Sequence, residues 1–560
     1  MRYLLWSLLL AVMLTAVVVI SRPVLPIDET RYLSVAWEAH QRGDHLVSHL
    51  NGEPYSHKPP LLFWLINAVW AVTGVCELAA RLVAPASGLL CLVLTSLITM
   101  RLWPSNPAVI RLAPVVHVSL MLWIVFCPLT MFDTLLTCCT MCSLLGVLYA
   151  AEGYSYRGWL LAGFGMGLGI LTKGPVVLVH VLPAAVMAPW WSDAVRSRMV
   201  RWYSGLLGAI AIAAMIGLSW AIPSAAAGGP EYSNELLFGQ TAGRMVNSFA
   251  HRQPFWWYLP WLPLCLMPWI SFGAVWRGFR ATAFDGGMRF LICWAGGSLL
   301  ILTLVSGKQI YYMLPMFPAC AMILTRMMTS VETVSRKDLA FIVSGTIGMA
   351  LLPSVFNSAP EFAHGRLTGI LESSYVIPLG MCGLLLLIPS WKKISSLVPA
   401  VATSSAVFIA IVVWGISTSL WDGFDLKPIA RFAAGFSGSV AWLVNYQGQL
   451  NFLGEISSIK ETVDVDVLEQ WVKEHPSGAV IVHLSESNPA WENLKEPLRL
   501  VDRTEPTGAQ KQMISELLSS NPRFPLAKLN PEILFAQRIR RGLTFDLTVV
   551  VSYRGATTTP

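Results

Sequence analysis

Along the first three quarters of the chain, apolar residues run in stretches long enough to cross a bilayer, broken by short polar connections. The hydrocarbon core of a membrane takes about 20 apolar residues per helix. Stretches that meet or approach this length lie at 3–20, 79–100, 109–126, 134–151, 158–172, 174–190, 203–222, 257–276, 289–306, 309–326, 338–356, 375–390 and 398–420, and each predicts a membrane helix. The first follows Arg2, and its exit, Ser21-Arg22-Pro23-Val24-Leu25-Pro26, lacks a small-x-small site, so it reads as a retained span and not a cleaved signal peptide. A further apolar stretch, 60–74, is short and follows Pro59 directly.

After residue 420 the pattern changes. Val463 to Glu474 has helical spacing, Ala479 to His483 is a run of strand formers, and Leu543 to Tyr553 reads as a closing strand. The chain therefore divides into a membrane domain, 1–424, and a small α/β domain, 425–560.

Charge sets the sidedness. If 60–74 lies in the interface, Arg101 and Arg111, Arg157, the Arg196/Arg198/Arg201 cluster, Arg277 and Arg280, Arg326 with Arg336 and Lys337, and Lys392 with Lys393 all share the side of Arg2. If 60–74 spans, every later cluster flips outward. Basic residues collect on the cytoplasmic side, so the first arrangement is preferred. It makes 60–74 an interfacial helix with Trp64 and Trp70 suited to the headgroups, and gives thirteen spans. The loops 21–78 and 223–256 and the domain 425–560 then lie outside the cytoplasm.

Composition agrees with this architecture. The 560 residues are 55% apolar and 13% charged, with mean hydropathy +0.58; soluble domains carry about 25% charged residues. A disordered chain, a collagen-like chain and an ordinary cytosolic enzyme are excluded. The net charge of +7 is accounted for by inner loops and does not call for nucleic acid. The ten cysteines end at Cys382, and Cys139 and Cys142 sit inside an apolar run, so neither a disulfide framework nor zinc-finger spacing is present.

Charged residues predicted on the outer side are few and stand close to acids, histidines or aromatics. Asp28 and Arg31 are spaced to share one helix face, with helix capping by Asp28 as the alternative. His57 and Lys58 precede the interfacial helix, whose N-terminus favours an anion. Asp133 heads the fourth span, and Lys173 sits between two short apolar segments, a costly place unless it faces a polar cavity or the headgroups. Arg244, His251 and Arg252 lie in the long outer loop, and Lys308 is followed by Tyr311 and Tyr312. Cations converging on one cavity suit the phosphate of a lipid, and a carboxylate suits a general base for an acceptor hydroxyl. Group transfer from a lipid phosphate is the implied reaction. The competing class is a transporter, which would place its ionisable residues near mid-membrane at broken helices.

Asp28-Glu29-Thr30-Arg31-Tyr32, Gly43-Asp44, His57-Lys58-Pro59, Phe132-Asp133, Leu171-Thr172-Lys173-Gly174, His251-Arg252-Gln253-Pro254-Phe255-Trp256 and Gly307-Lys308 through Tyr312 follow in that order. The series resembles the C-type (GT-C) integral-membrane glycosyltransferases related to protein O-mannosyltransferases, and among them the bacterial lipid A aminoarabinose transferases. The resemblance covers roughly residues 1–330 by motif. It implies thirteen membrane helices, a periplasmic C-terminal domain and an undecaprenyl-phosphate-linked sugar donor. It also implies inverting transfer to lipid A, another envelope glycan or protein, with membrane lipids and no nucleic acid as partners and a monomeric enzyme. By the same likeness Asp28 is the main catalytic carboxylate and Asp133 assists. Arg31, Lys58, Lys173 and a loop arginine (Arg244 or Arg252) hold the donor phosphate, with Lys308 and Tyr312 lining the pocket. The chain departs from the aminoarabinose transferases at His57, where they have an acid, and at Gly239 to Gly243, where they carry a histidine. Those positions bear on a metal site in the family. No cofactor is required by this reading, and His57 with His251 is the candidate zinc pair.

Overall fold

A computed structural model describes the chain except for residues 154, 244–251, 332, 359–374, 388–392, 418–420, 444–445, 463–464, 486–505, 521–531, 542–543 and 553–560. Among the described residues, helical segments fall within each of the thirteen apolar stretches. The first elements are α1 (Arg2–Ser21), α2 (Asp28–Arg42), α3 (Leu61–Thr73), α4 (Glu77–Leu102), α5 (Pro107–Val118), α6 (Met121–Phe126), α7 (Phe132–Ala151), α8 (Ser155–Lys173) and α9 (Val176–Val186). Among the described residues seven helices are long and apolar enough to cross a membrane, α1, α4 and α7 among them. The stretch 109–126 is two helices, α5 and α6, hinged at Ser119 and Leu120. The stretch 257–276 breaks into Tyr258–Cys265, a 3₁₀ turn Trp269–Ser271 and Gly273–Ala281, with Pro268 in the break.

α7 is the axis of the bundle and is almost wholly buried. It packs against α8 at very close range because small residues face each other: a Cβ added at Gly146 would lie 2.5 Å from the Ala162 nitrogen, and one at Gly158 would collide with Ala150. The two helices run antiparallel, so this seam brings the start of α7 level with the end of α8.

α3 is the 60–74 segment. It is only 13 residues long and packs on α2 and α4. Trp64 donates its indole N–H to the His45 carbonyl (2.7 Å). Trp70 does not sit at a headgroup surface. It is buried, donates to the Cys76 carbonyl (2.9 Å) and stacks on Phe452 (5.7 Å between centroids, 14° between planes).

The C-terminal domain is a five-stranded sheet in the order β4-β3-β5-β7-β6, with β3 Val440–Leu443, β4 Lys460–Thr462, β5 Ala479–Ser485, β6 Glu532–Arg541 and β7 Thr544–Ser552. β3 pairs in parallel with β4 and β5, and β7 runs antiparallel between β5 and β6. The small hairpin β1 (His49–Leu50) and β2 (Glu53–Pro54) belongs to the connection between α2 and α3. Alternation along the strands fills two cores: Ala441, Val480, Val482, Leu547 and Val549 face one side with Trp471 and Leu518, while Trp442, Ile481 and Val550 face the other with Ile429 and Ala433.

The domain sits on the membrane part through α2, α3 and α4. Lys427 pairs with Glu77 at the head of α4 (2.7 Å), and the segment from Tyr446 to Phe452 lies along α2.

Candidate functional site

The two candidate carboxylates stand in the first turns of α2 and α7. Neither caps its own helix: the cap positions are Ile27 and Met131, and neither makes a side-chain cap bond. Both acids are instead paired, Asp28 within its own helix and Asp133 with the end of α8. Asp28 Oδ1 accepts from Arg31 Nη2 (2.5 Å) and from the Tyr32 hydroxyl (3.2 Å). Asp133 Oδ1 accepts from Lys173 Nζ (2.6 Å). Lys173 closes α8, and the glycine seam between α7 and α8 delivers it to Asp133. Gly174, at φ +69°, then turns the chain into α9.

Glu29 joins the two helices. It is buried, receives both terminal nitrogens of Arg22, and accepts from the Leu25 N–H (3.0 Å) and the Thr130 N–H (2.7 Å). Thr130 belongs to the loop that leads into α7, so this carboxylate fixes the start of α2 against the start of α7. Burial pushes the Glu29 carboxyl up, but the Arg22 charge and the bonds from Arg22, Thr130 and Leu25 outweigh it and hold it below its ordinary value of 4.5. Tyr32 is driven well above the usual tyrosine range, first by burial and then by the negative charge of Asp28.

Aromatic rings floor the space between the pairs. Tyr32 and Phe63 both meet Phe132 edge-on, at 4.9 and 5.4 Å. The Lys58 ammonium lies 5.9 Å from the Phe132 centroid. Lys173 lies 4.5 Å from the Tyr312 centroid and 5.2 Å from that of Tyr311. Tyr311 is within electrostatic reach of Asp28, Arg31 and Asp133. The structure thus gathers Asp28, Arg31, Lys58, Asp133, Lys173 and Tyr312 from five separate places in the sequence. Arg31 Nε is buried with no hydrogen-bond partner, which leaves one guanidinium donor uncommitted beside Asp28.

The remaining candidates are placed differently. Lys308 is buried, donates to the carbonyls of Val305 and Gln253 (3.3 Å to the latter), and is lowered below the usual lysine range by burial. It locks the Arg252-Gln253 segment to the Ser306-Gly307 connection, where Gln253 N–H also bonds the Ser306 carbonyl (3.1 Å). Arg252 bridges Gly307 through its backbone, with its side chain exposed. Arg244 and His251 lie outside the described residues. The His57 ring sits 5.1 Å from that of Tyr55, and among the described residues no three His, Cys, Asp or Glu side chains cluster as metal ligands. Asp44 serves a turn, accepting from the Leu46 and Val47 N–H groups.

Three participants escaped sequence reasoning. Glu29 was visible as a neighbour of Asp28, but its partner Thr130 is 101 residues away. The floor role of Phe132 is hinted at only by its place before Asp133. Gln447, whose Oε1 accepts from Arg31 Nη1 (2.5 Å), comes from the C-terminal domain and has no local signal.

The family model described as dolichyl-phosphate-mannose-protein mannosyltransferase matches residues 57–220. An undecaprenyl phosphate-alpha-4-amino-4-deoxy-L-arabinose arabinosyl transferase of Erwinia tasmaniensis is 30% identical over 53% of this chain and 54% of its own length. A protein of the same name from Pseudomonas fluorescens is 25% identical over 80% of this chain and 86% of its own. The chain thus spans little more than half the length of the Erwinia relative and of several others. In structure, ArnT of Cupriavidus metallidurans bound to undecaprenyl phosphate superposes with a TM-score of 0.65 at 17% identity, covering 99% of both chains. Its apo form gives 0.66 at 16% identity over 97% of both. The chain is thus similar in sequence to bacterial aminoarabinose transferases and has the GT-C membrane glycosyltransferase fold.

Proposed function

We propose that this protein transfers a sugar, 4-amino-4-deoxy-L-arabinose, from undecaprenyl phosphate to lipid A at the periplasmic face of the bacterial inner membrane. One observation carries the reading: two acid–base pairs, Asp28–Arg31 and Asp133–Lys173, meet over one aromatic floor with Lys58 at its edge. The likeness to named arabinosyl transferases supports the choice of donor and acceptor.

In this reaction the acceptor oxygen attacks the anomeric carbon while the bond from that carbon to the donor phosphate breaks. The electron pair leaves with undecaprenyl phosphate. Asp28 orients the attacking oxygen and takes its proton, and the anomeric configuration inverts because no sugar–enzyme bond intervenes. Arg31, Lys58 and Lys173 hold the phosphate oxygens, whose negative charge grows as the bond breaks. Asp133 holds Lys173 in place. Arg244 and Arg252 are the further candidates for the donor phosphate, Lys308 secures the connection that carries Arg252, and the enzyme acts as a monomer. No step is routed through a metal.

The test is mass spectrometry of lipid A from cells lacking the gene, complemented with the wild-type gene or with Asp28→Ala. An aminopentose adduct restored by the wild type alone is expected. Unchanged lipid A under wild-type complementation would overturn the donor–acceptor pair. The thirteen-span arrangement is tested separately by labelling single cysteines at Ala194 and Ser457, both exposed. Ala194 should react from the cytoplasm and Ser457 from the periplasm; a shared side would refute it.

A further inference from the structure

Among the described residues, the C-terminal domain reaches the site at Gln447. Its side-chain carbonyl accepts from Arg31 Nη1 (2.5 Å), while Arg31 Nη2 binds Asp28 (2.5 Å). One guanidinium is therefore held at both ends, by the candidate catalytic carboxylate on one side and by a different domain on the other.

The segment that presents Gln447 is built to hold still. Gln447 N–H donates to the Gln449 side chain (2.7 Å). The Tyr446 hydroxyl donates to Asn451 Oδ1 (2.7 Å) and accepts from the Leu450 N–H (3.2 Å), closing the turn from inside. The turn is also keyed into the outer loop. The Ser34 hydroxyl of α2 donates to the Gly448 carbonyl (2.6 Å) and accepts from the Phe452 N–H (3.1 Å). Asn51, beside the β1–β2 hairpin, donates to the Ile459 carbonyl (2.8 Å) and to the same residue's N–H offers its oxygen (2.7 Å). Gly448 sits at φ +74°, a left-handed conformation that favours glycine, and a Cβ there would push on the Leu50 side chain.

We propose that Gln447 is a positioning residue for transfer and that the Tyr446–Phe452 segment of the C-terminal domain is part of the active site. Arg31 has long, soft torsions, and an aspartate on one side alone leaves its plane free to swing. A second acceptor on the opposite nitrogen fixes that plane, and through it the Asp28 carboxylate and the uncommitted Arg31 Nε. Gln447 touches no reacting atom in this account. The proposal rests on the functional reading above and adds a role for the C-terminal domain.

The test is a double-mutant cycle on the full-length protein, with Gln447→Leu, Arg31→Ala and the pair, plus Gln447→Glu as the conservative variant that keeps an acceptor facing Arg31. Turnover is read with the undecaprenyl-phosphate aminoarabinose donor, thermal unfolding is followed in parallel, and binding is probed with undecaprenyl phosphate alone. Gln447→Leu should lower kcat about tenfold, the scale of a lost hydrogen bond to a charged group, with KM changed far less. Gln447→Glu should recover most of it. In the Arg31→Ala background Gln447→Leu should have no further effect. Wild-type kcat in Gln447→Leu, or effects that multiply in the double variant, would overturn the proposal. A wild type with neither turnover nor undecaprenyl phosphate binding would instead undo the functional reading. In that case the unfolding cycle decides the contact: non-additive midpoints support it, and additive ones overturn it.

Discussion

Asp28 and Asp133 are chemically the same side chain at the same kind of place, the first turn of a helix, yet their surroundings differ sharply. Asp28 is 38% exposed and shares its oxygen with a guanidinium and a phenol; Asp133 is 4% exposed and faces one ammonium. The more exposed acid is open to a substrate. The buried acid neutralises a lysine that the bundle has largely taken out of water, so removing the acid alone strands that charge. A site can thus place reactivity and stability on two copies of one residue type.

That contrast can be broken experimentally. Asp28→Asn should lower turnover by about 10²–10⁴-fold, the range for a lost general base, while changing unfolding free energy by less than about 1 kcal/mol. A large fall in thermal midpoint would erase the distinction. Asp133→Ala should do the reverse first: stranding Lys173 should cost about 3–5 kcal/mol of stability, read as lost midpoint and lost detergent-soluble yield. Asp133→Asn combined with Lys173→Met should recover much of it, without activity. The smallest effect concerns Glu29, whose folded-state carboxyl lies below the 4.5 of the free group. Its contribution to stability is fully present above about pH 4.5 and is lost as pH falls through the folded value. Midpoints measured down the acid range should fall less steeply for Glu29→Gln than for wild type; identical slopes would remove Glu29 as a titrating anchor.

The membrane helices were legible because their signal is local: each apolar run declares itself without knowing its neighbours. The breaks were less so, since Ser119-Leu120 and Pro268 interrupt runs whose composition stays apolar throughout. In the C-terminal domain the helix Val465–Glu474 and the strands β5 and β7 fall where periodicity put them. β6 did not declare itself, because Gln537, Arg538, Arg540 and Arg541 mask its apolar alternation. In the site, Asp28 and Arg31 could be paired from spacing, whereas Lys173 meets Asp133 only through the packing of α7 on α8. Trp70 was misassigned to the headgroups for the same reason: its partner Phe452 arrives from the far end of the chain.

The docking of the Tyr446–Phe452 segment also bears on inheritance. Its partners Ser34, Leu50 and Asn51 lie between α1 and α3, hundreds of positions upstream, so neither half can drift alone without loosening the other. A chimera that grafts a relative's C-terminal domain onto this membrane part should work only when those upstream residues are transplanted with it. The two ends of the chain form one exchangeable cassette, and the helices between them are its frame.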